Sequence, residues 1–390
     1  MQFDQAYFDR GISRRGTRCE KWDDPGMLPE DGIPLWVADM DFPCAPAIEE
    51  TVKKRAEHPC FGYNNEAAEE ACARALCAFW RRRHGLDIRP EQTLTLPCVI
   101  TGLKACVRLF TREGDAVAMF TPVYGPFYQS VVLNGRRVAG VPLLRDDRGA
   151  YPMNLNGMED ALRDGAKLIM LCNPHNPVSR CWTREELEAL CDLAQRYDVP
   201  IVSDEIHADF VYRPAVFTPI LSLEKARAVM LCAASKTFNV AGLQQAALVT
   251  RDDGIRQEMQ KALSAAGVTS GNTFALAATE AAYARCDDWL DGLLAYLDGS
   301  RRELADFVRQ HLPRAVMTPV EATYLAWLDL RAYGFSCQEL KEKCYRHGVA
   351  FTGGTFFGEA GEGFLRVNFG CPRAQWRTGM ERLCDALKEE

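Results

Sequence analysis

Three apolar runs in the middle of the chain end in residues that can do chemistry. "AKLIMLCNP" (Ala166 to Pro174) leads into "CNPHNPVSR", which holds two Asn-Pro pairs. "VPIVSDEI" (Val199 to Ile206) ends in Asp204, with His207 just beyond. "AVMLCAAS" (Ala228 to Ser235) stops at Lys236. Each ending has an ordinary explanation. A residue before proline avoids the helical region, so Asn-Pro makes a loop. A carboxylate can be a solvated strand cap, and most lysines on turns face water. Taken together they read differently, because the ends of successive strands in one sheet converge on one rim. An amine, a carboxylate and an amide on one rim suit pyridoxal 5'-phosphate. The amine forms a Schiff base with the aldehyde. The carboxylate keeps the pyridine nitrogen protonated, so that the ring acts as an electron sink, and the amide donates to the ring's phenolic oxygen.

The elements that must position these groups follow an α/β rhythm. With "DAVAMFTP" (Asp115 to Pro122) and "AALVT" (Ala246 to Thr250), the runs are continuously apolar, as strands buried on both faces of a mostly parallel sheet are. Amphipathic helical patterns lie between them. The clearest opens at Thr183, where "TREE" sets Glu186 as the partner in a capping box. Leu187, Leu190, Cys191, Ala194 and Tyr197 then recur at helical spacing. In such layered sheets ligands gather at the carboxyl ends of the strands. Beyond about residue 270 a long amphipathic pattern, strand-like "ATYLAWLDL" and "GFLRVNFG", and helices near Ser336 to His347 and at the end predict a smaller α+β domain. The predicted organisation is an opening segment, 1–45, without helical period and wrapped on the small domain; a large cofactor domain, 46–270; and the small domain, 271–390.

Composition limits the class of function. The 390 residues exceed one hydrophobic core and are 47% hydrophobic and 25% charged, as in ordinary soluble proteins. A net charge of −7 with only short basic runs, such as "RRRH" at Arg81 to His84, argues against nucleic acid. No stretch reaches the length of a membrane span, and the polar opening "MQFDQAYFDRG" does not resemble a signal peptide. The 16 cysteines include no C-x-x-C spacing and no cluster with histidine that suggests zinc, so no metal is expected. They read as reduced, mostly buried small hydrophobes, and the expected compartment is the cytoplasm.

"LWVADMDFP", "FGY", "TPVYGPF", "CNPHNPV", "SDEIHADF", "SKTFNVAGLQ", "ATYLAWLDL" and "FLRVNFGCP" occur in an order spanning nearly the whole chain. They resemble the aminotransferase-like C–S lyases, the cystathionine β-lyase branch of the fold-type I pyridoxal-phosphate enzymes. "WVADMDF" and "SDEIHADF" are particular to that branch. The resemblance implies the fold-type I architecture, a large domain with a mostly parallel sheet between helices plus a smaller α+β domain. It implies Lys236 as the Schiff-base lysine and Asp204 as the partner of the pyridinium. Asn176 is implied as donor to the ring oxygen with His207 near it, and Tyr124 as the aromatic stacked on the ring. Arg366 resembles the clamp for the substrate α-carboxylate, a role that suits a planar guanidinium fork. Trp36, Ala38 and Asp39 would border the substrate, mainly through backbone. Tyr63 would reach the phosphate in the partner subunit of a homodimer. The phosphate itself would sit at the helix start near Val99 and Ile100, with Ser235 beside it.

Departures from the family cluster around that phosphate. Cys98 and Ser179 stand where glycine is usual, Ala233 where serine is usual, and Gln244 where related enzymes often carry an arginine. The implied reaction is α,β-elimination from L-cystathionine or a related cysteine S-conjugate, giving a thiol, pyruvate and ammonia. The alternatives are a class I/II aminotransferase and a pyridoxal-phosphate-binding regulator with little turnover.

Overall fold

In the computed structural model, residues 2–24, 28–225 and 227–388 are described. A seven-stranded sheet forms the middle of the molecule. From one edge its strands are Thr93–Leu96, Ala246–Thr250, Ala228–Cys232, Ile201–Asp204, Leu168–Cys172, Ala116–Thr121 and Arg137–Pro142. Ala246–Thr250 runs antiparallel to both its neighbours, and the remaining pairings are parallel. Every residue of the four strands Leu168–Cys172, Ile201–Asp204, Ala228–Cys232 and Ala246–Thr250 is buried. This is why they lack apolar–polar alternation: successive side chains enter two different cores. Ile169, Leu171, Ile201 and Met230 face one, and Leu168, Met170, Val202 and Leu231 the other.

The register levels the chemistry-bearing ends. Asp204 pairs with Cys172 on one side and Leu231 on the other, so the "CNPHNP" loop, the Asp204 turn and the Lys236 turn leave the sheet at one height. Helix Val99–Phe110 follows the edge strand and packs close over this sheet. A Cβ at Gly102 would lie 2.6 Å from Leu231 and 2.8 Å from Leu96, so the close approach requires glycine there. The predicted helix after Thr183 is Arg184–Arg196, with the Thr183–Glu186 capping box formed in both directions.

A second, antiparallel sheet has the order Thr352–Gly353, Phe364–Asn368, Leu325–Asp329, Val316–Met317. Its middle strand places Arg366 between Trp327 and Thr352. Helix Asp287–His311 leads into it, preceded by Thr273–Arg285. The opening segment does contain helix, Gln5–Asp9 and Glu20–Asp23. Elements of 5 and 4 residues are too short to show a period, which is why the sequence pattern missed them. Ile33–Pro34 then pairs in parallel with Val349–Ala350, joining the opening segment to the C-terminal part of the chain. Among the described residues no helix is long and apolar enough to cross a membrane.

Candidate active site

The three strand ends open into one cavity of 190 Å³. Lys236, Asp204, Asn176, His207 and Tyr124 line it, as do Ser235, Val99 and Ile100, and Ala38 lies on its border. A wider groove of 1230 Å³, with Arg213, Val216 and Arg301 on its walls, brings none of these groups together.

Lys236 sits in the short helix Ala234–Thr237, just past the fully buried strand Ala228–Cys232. Its Nζ donates to the Ala38 carbonyl at 2.5 Å. Burial lowers its pKa; Asp39 and Asp204 act against that shift and Arg366 with it. A deprotonated amine is the nucleophilic form.

Asp204 ends its strand buried, at 6% exposed. Burial pushes its carboxyl up to about 7, only partly offset by the Ile206 N–H at 3.1 Å and by the charge of Lys236. A buried carboxylate of this kind gains greatly from a cation placed against it. His207 is buried too. Burial, then the charges of Lys236 and Arg366, bring it down to about 3, so its imidazole is neutral. Its Nδ1 has no partner.

Arg366 is buried behind the cavity. It donates to Asn176 Oδ1 at 3.1 Å, the Trp36 carbonyl at 2.8 Å and Thr352 Oγ1 at 3.2 Å, while its Nε is buried without a partner. Burial lowers its pKa to about 10, which leaves it charged at neutral pH. With Asn176 Oδ1 taken by Arg366, the NH2 of Asn176 is the end left to donate.

The segment from Trp36 to Phe42 is fastened from several sides. Asn368 donates to the carbonyls of Val37 and Asp39, Tyr324 Oη to that of Ala38 at 2.9 Å, and Asn239 to those of Met40 and Phe42. Trp36 therefore presents a carbonyl to Arg366, and Asp39 spends one carboxylate oxygen on Arg14 at 2.7 Å. Beneath lies a group that the sequence reading missed. Asp41, 1% exposed, accepts from Arg14, Lys21, Trp22 and Gln375. The second aspartate of "ADMDF" was a visible signal for it. Lys21, in an opening segment without period, gave none.

The cavity is also lined by Val99 and Ile100 at the start of helix Val99–Phe110, where N–H groups lack intrahelical acceptors, while the N–H of Thr101 bonds the Cys98 carbonyl. Cys98 flanks that helix and is exposed. Ser179 and Gln244 both hold positive φ, 57° and 58°, the region that favours glycine. Ser179 is buried, and its Oγ bonds Thr323 Oγ1 and the Leu325 carbonyl. Ala233 does not line the main cavity. It borders a separate space of 20 Å³ shared with Thr95, Gln245 and Thr279. Tyr63 is fully exposed and does not enter this chain's own cavity.

These groups fit pyridoxal 5'-phosphate. An amine whose pKa burial lowers can meet its aldehyde, a buried carboxylate its ring nitrogen, and a helix N-terminus its phosphate.

The comparisons agree from end to end. The family model for aminotransferase class I and II matches residues 30–383. The chain is 41% identical to Cystathionine beta-lyase PatB of Bacillus subtilis (strain 168), over 97% of this chain and 99% of that protein. It is similar to cystalysin from Treponema denticola, whose crystal structure contains a pyridoxal 5'-phosphate cofactor, with TM-score 0.92 and 30% identity over 97% of this chain and 98% of that one. It is also similar to the pyridoxal-phosphate-bound C–S lyase from Staphylococcus hominis, with TM-score 0.90 and 29% identity over 98% of each chain. The chain belongs to the aminotransferase class I and II family, and within it to the fold-type I pyridoxal-phosphate-dependent carbon–sulfur lyases.

Proposed function

We propose that this enzyme cleaves the β-carbon–sulfur bond of L-cystathionine or a related cysteine S-conjugate, releasing a thiol, pyruvate and ammonia. The observation that carries the reading is that one cavity holds Lys236, Asp204 and Asn176 in a chain matching C–S lyases over nearly its full length. Bound there, pyridoxal phosphate supplies an aldehyde for the amine and a conjugated ring that accepts the electron pair left by the substrate's α-proton.

The chain's own residues do the rest. Lys236 Nζ would hold the cofactor by its aldehyde and is the group placed to take the substrate's α-proton. Asp204 keeps the ring nitrogen protonated, for which its buried, uncompensated carboxylate is suited. Asn176, neutral His207 and Tyr124 line the same cavity and would hold the cofactor's ring. Arg366, aimed by Asn176, Trp36 and Thr352, holds the substrate carboxylate. Val99, Ile100 and Ser235 take the phosphate end. Ala38 and its strap wall the substrate side. Elimination then needs no further positioned acid, because a thiolate leaves readily.

The division at residues 45 and 270 belongs to the same proposal, supported by the pairing of Ile33 with Val349. So do a cytoplasmic setting and a homodimer in which Tyr63 completes the neighbouring site. The exposed ring of Tyr63, beside half-exposed Phe61, supports the homodimer.

The deciding experiment mixes purified protein with L-cystathionine and assays pyruvate with and without an added keto acid. A lyase makes pyruvate and homocysteine without an acceptor. Turnover that waits for the keto acid would make the protein an aminotransferase, and absence of turnover in both would favour a regulator.

A further inference from the structure

Resting on the cofactor assignment but not on the lyase reaction, we propose that Gln245 is a phosphate ligand of this enzyme, donating its side-chain amide to the cofactor's phosphate group. Gln245 follows Gln244 at the start of strand Ala246–Thr250. The two differ sharply. Gln244 is exposed and sits at φ 58°, ψ 69°, a left-handed turn. Both line the same cavity as Val99, Ile100 and Lys236, but only Gln245 is buried there, at 8% exposed. The residue that replaces the family's arginine in sequence is therefore not the one the fold buries at the site.

Two independent observations meet here. The helix Val99–Phe110 turns its N-terminus into the cavity, and anions settle at such ends because free N–H groups and the helix dipole both favour them. Gln245 in the same cavity has a buried amide atom, Oε1, without a partner. Its Nε2 makes only a 3.5 Å contact, to the Ala246 carbonyl. Buried polar atoms in folded proteins are nearly always satisfied, so an orphan needs an explanation. The two ends of a glutamine amide are nearly equal in shape, and a half-turn exchanges them. A phosphate monoester is an acceptor, so it calls for the NH2 end.

The surroundings leave room for that turn. A Cβ at Gly271 would stand 3.0 Å from Gln245 Oε1, so glycine keeps this side open. On the other side lies the 20 Å³ space beside Ala233, large enough for one water. Ala233, which offers no side-chain donor of its own, borders this space together with the glutamine.

The test compares two compounds on wild type and Gln245→Met, which keeps the length and apolar stem but removes the amide. Dissociation constants of pyridoxal 5'-phosphate and of pyridoxal, which lacks the phosphate, are measured by titrating cofactor-free protein and following intrinsic fluorescence. A hydrogen bond to a charged group corresponds to about a ten- to hundredfold change in affinity. Gln245→Met should weaken pyridoxal 5'-phosphate binding by that factor and leave pyridoxal unchanged. Gln245→Glu, close in size, should weaken phosphate-dependent binding further, because it sets a carboxylate against the dianion. Equal losses for both compounds, or no loss for either, would overturn the proposal. A wild type that holds neither compound would instead overturn the cofactor assignment, whereas a lyase assay that fails while these affinities behave as stated leaves the Gln245 contact standing.

Discussion

Replacing Asp41 by asparagine isolates the charge beneath the active-site strap. Asp41 is 1% exposed and receives Arg14 at 3.1 Å, Lys21 at 2.8 Å, Trp22 at 2.9 Å and Gln375 at 2.6 Å. The cluster is balanced as it stands, with Arg14 and Lys21 against Asp39 and Asp41. Asparagine keeps the shape but removes one negative charge and offers a single accepting atom. Lys21, whose side chain is wholly buried, would keep its bond to the Asp39 carbonyl at 3.1 Å, but its nearest negative charge would be Asp39 Oδ1 at 3.9 Å. Breaking a buried ion pair by removing one partner costs about 3–5 kcal/mol. Because Asp39 remains, the low end, about 3 kcal/mol, is expected. In urea denaturation of the cofactor-free protein, the midpoint should fall with little change in slope. Converting Lys21→Met as well should recover part of the loss, since no orphaned ammonium is left. Acid supplies a second readout. Burial raises the Asp41 carboxyl, but the charge and hydrogen bond of Lys21, together with the hydrogen bonds of Trp22 and Gln375, outweigh burial and hold it below its usual value. A depressed carboxyl contributes stability above its unfolded pKa, about 3.9, and loses it as pH falls through the lower native value. The gap between wild type and Asp41→Asn should therefore be flat at neutral pH and close only in strong acid. A cost below about 1 kcal/mol, the range of exposed pairs, would refute the reasoning and mean that the cluster is relaxed by water.

Three shorter predictions concern the site itself. Borohydride treatment of the loaded enzyme should fix the cofactor on the peptide containing Lys236; recovery of the label on Lys104 would refute that assignment. In cofactor-free protein, burial raises the Asp204 carboxyl to about 7, so native stability should fall as pH rises from about 4 to 7. Asp204→Asn should gain on wild type across that window, and parallel stability curves would show that Asp204 is better solvated than its burial suggests. Mixing inactive Lys236→Ala with inactive Tyr63→Ala chains should restore partial activity, because one site of the mixed dimer receives neither defect. No recovery despite verified subunit exchange would rule out the shared site.

What the sequence determined by itself was local and periodic. Continuous apolar runs announced strands covered on both faces, and the capping box at Thr183 and Glu186 marked a helix start that the structure has. Lys236, Asp204 and the Asn-Pro turn were legible because each closes such a run, and strand ends in a parallel sheet share a rim. Nothing local could show that Asp204 stands level with Cys172 and Leu231, since strand register is a pairing between distant segments. Only the tertiary structure decided which residues lie behind the site. Asp41 and Lys21 became a buried pair because two segments without regular period are packed together, and the energy of that pair depends on exclusion of water that neither segment achieves alone. The same holds at the phosphate end. Spacing from Lys236 singled out Gln244, which lines the cavity but stays exposed in a left-handed turn, whereas Gln245 beside it is buried. Both glutamines line the cavity, and the way the Lys236 turn meets the next strand decided which of the two is buried there.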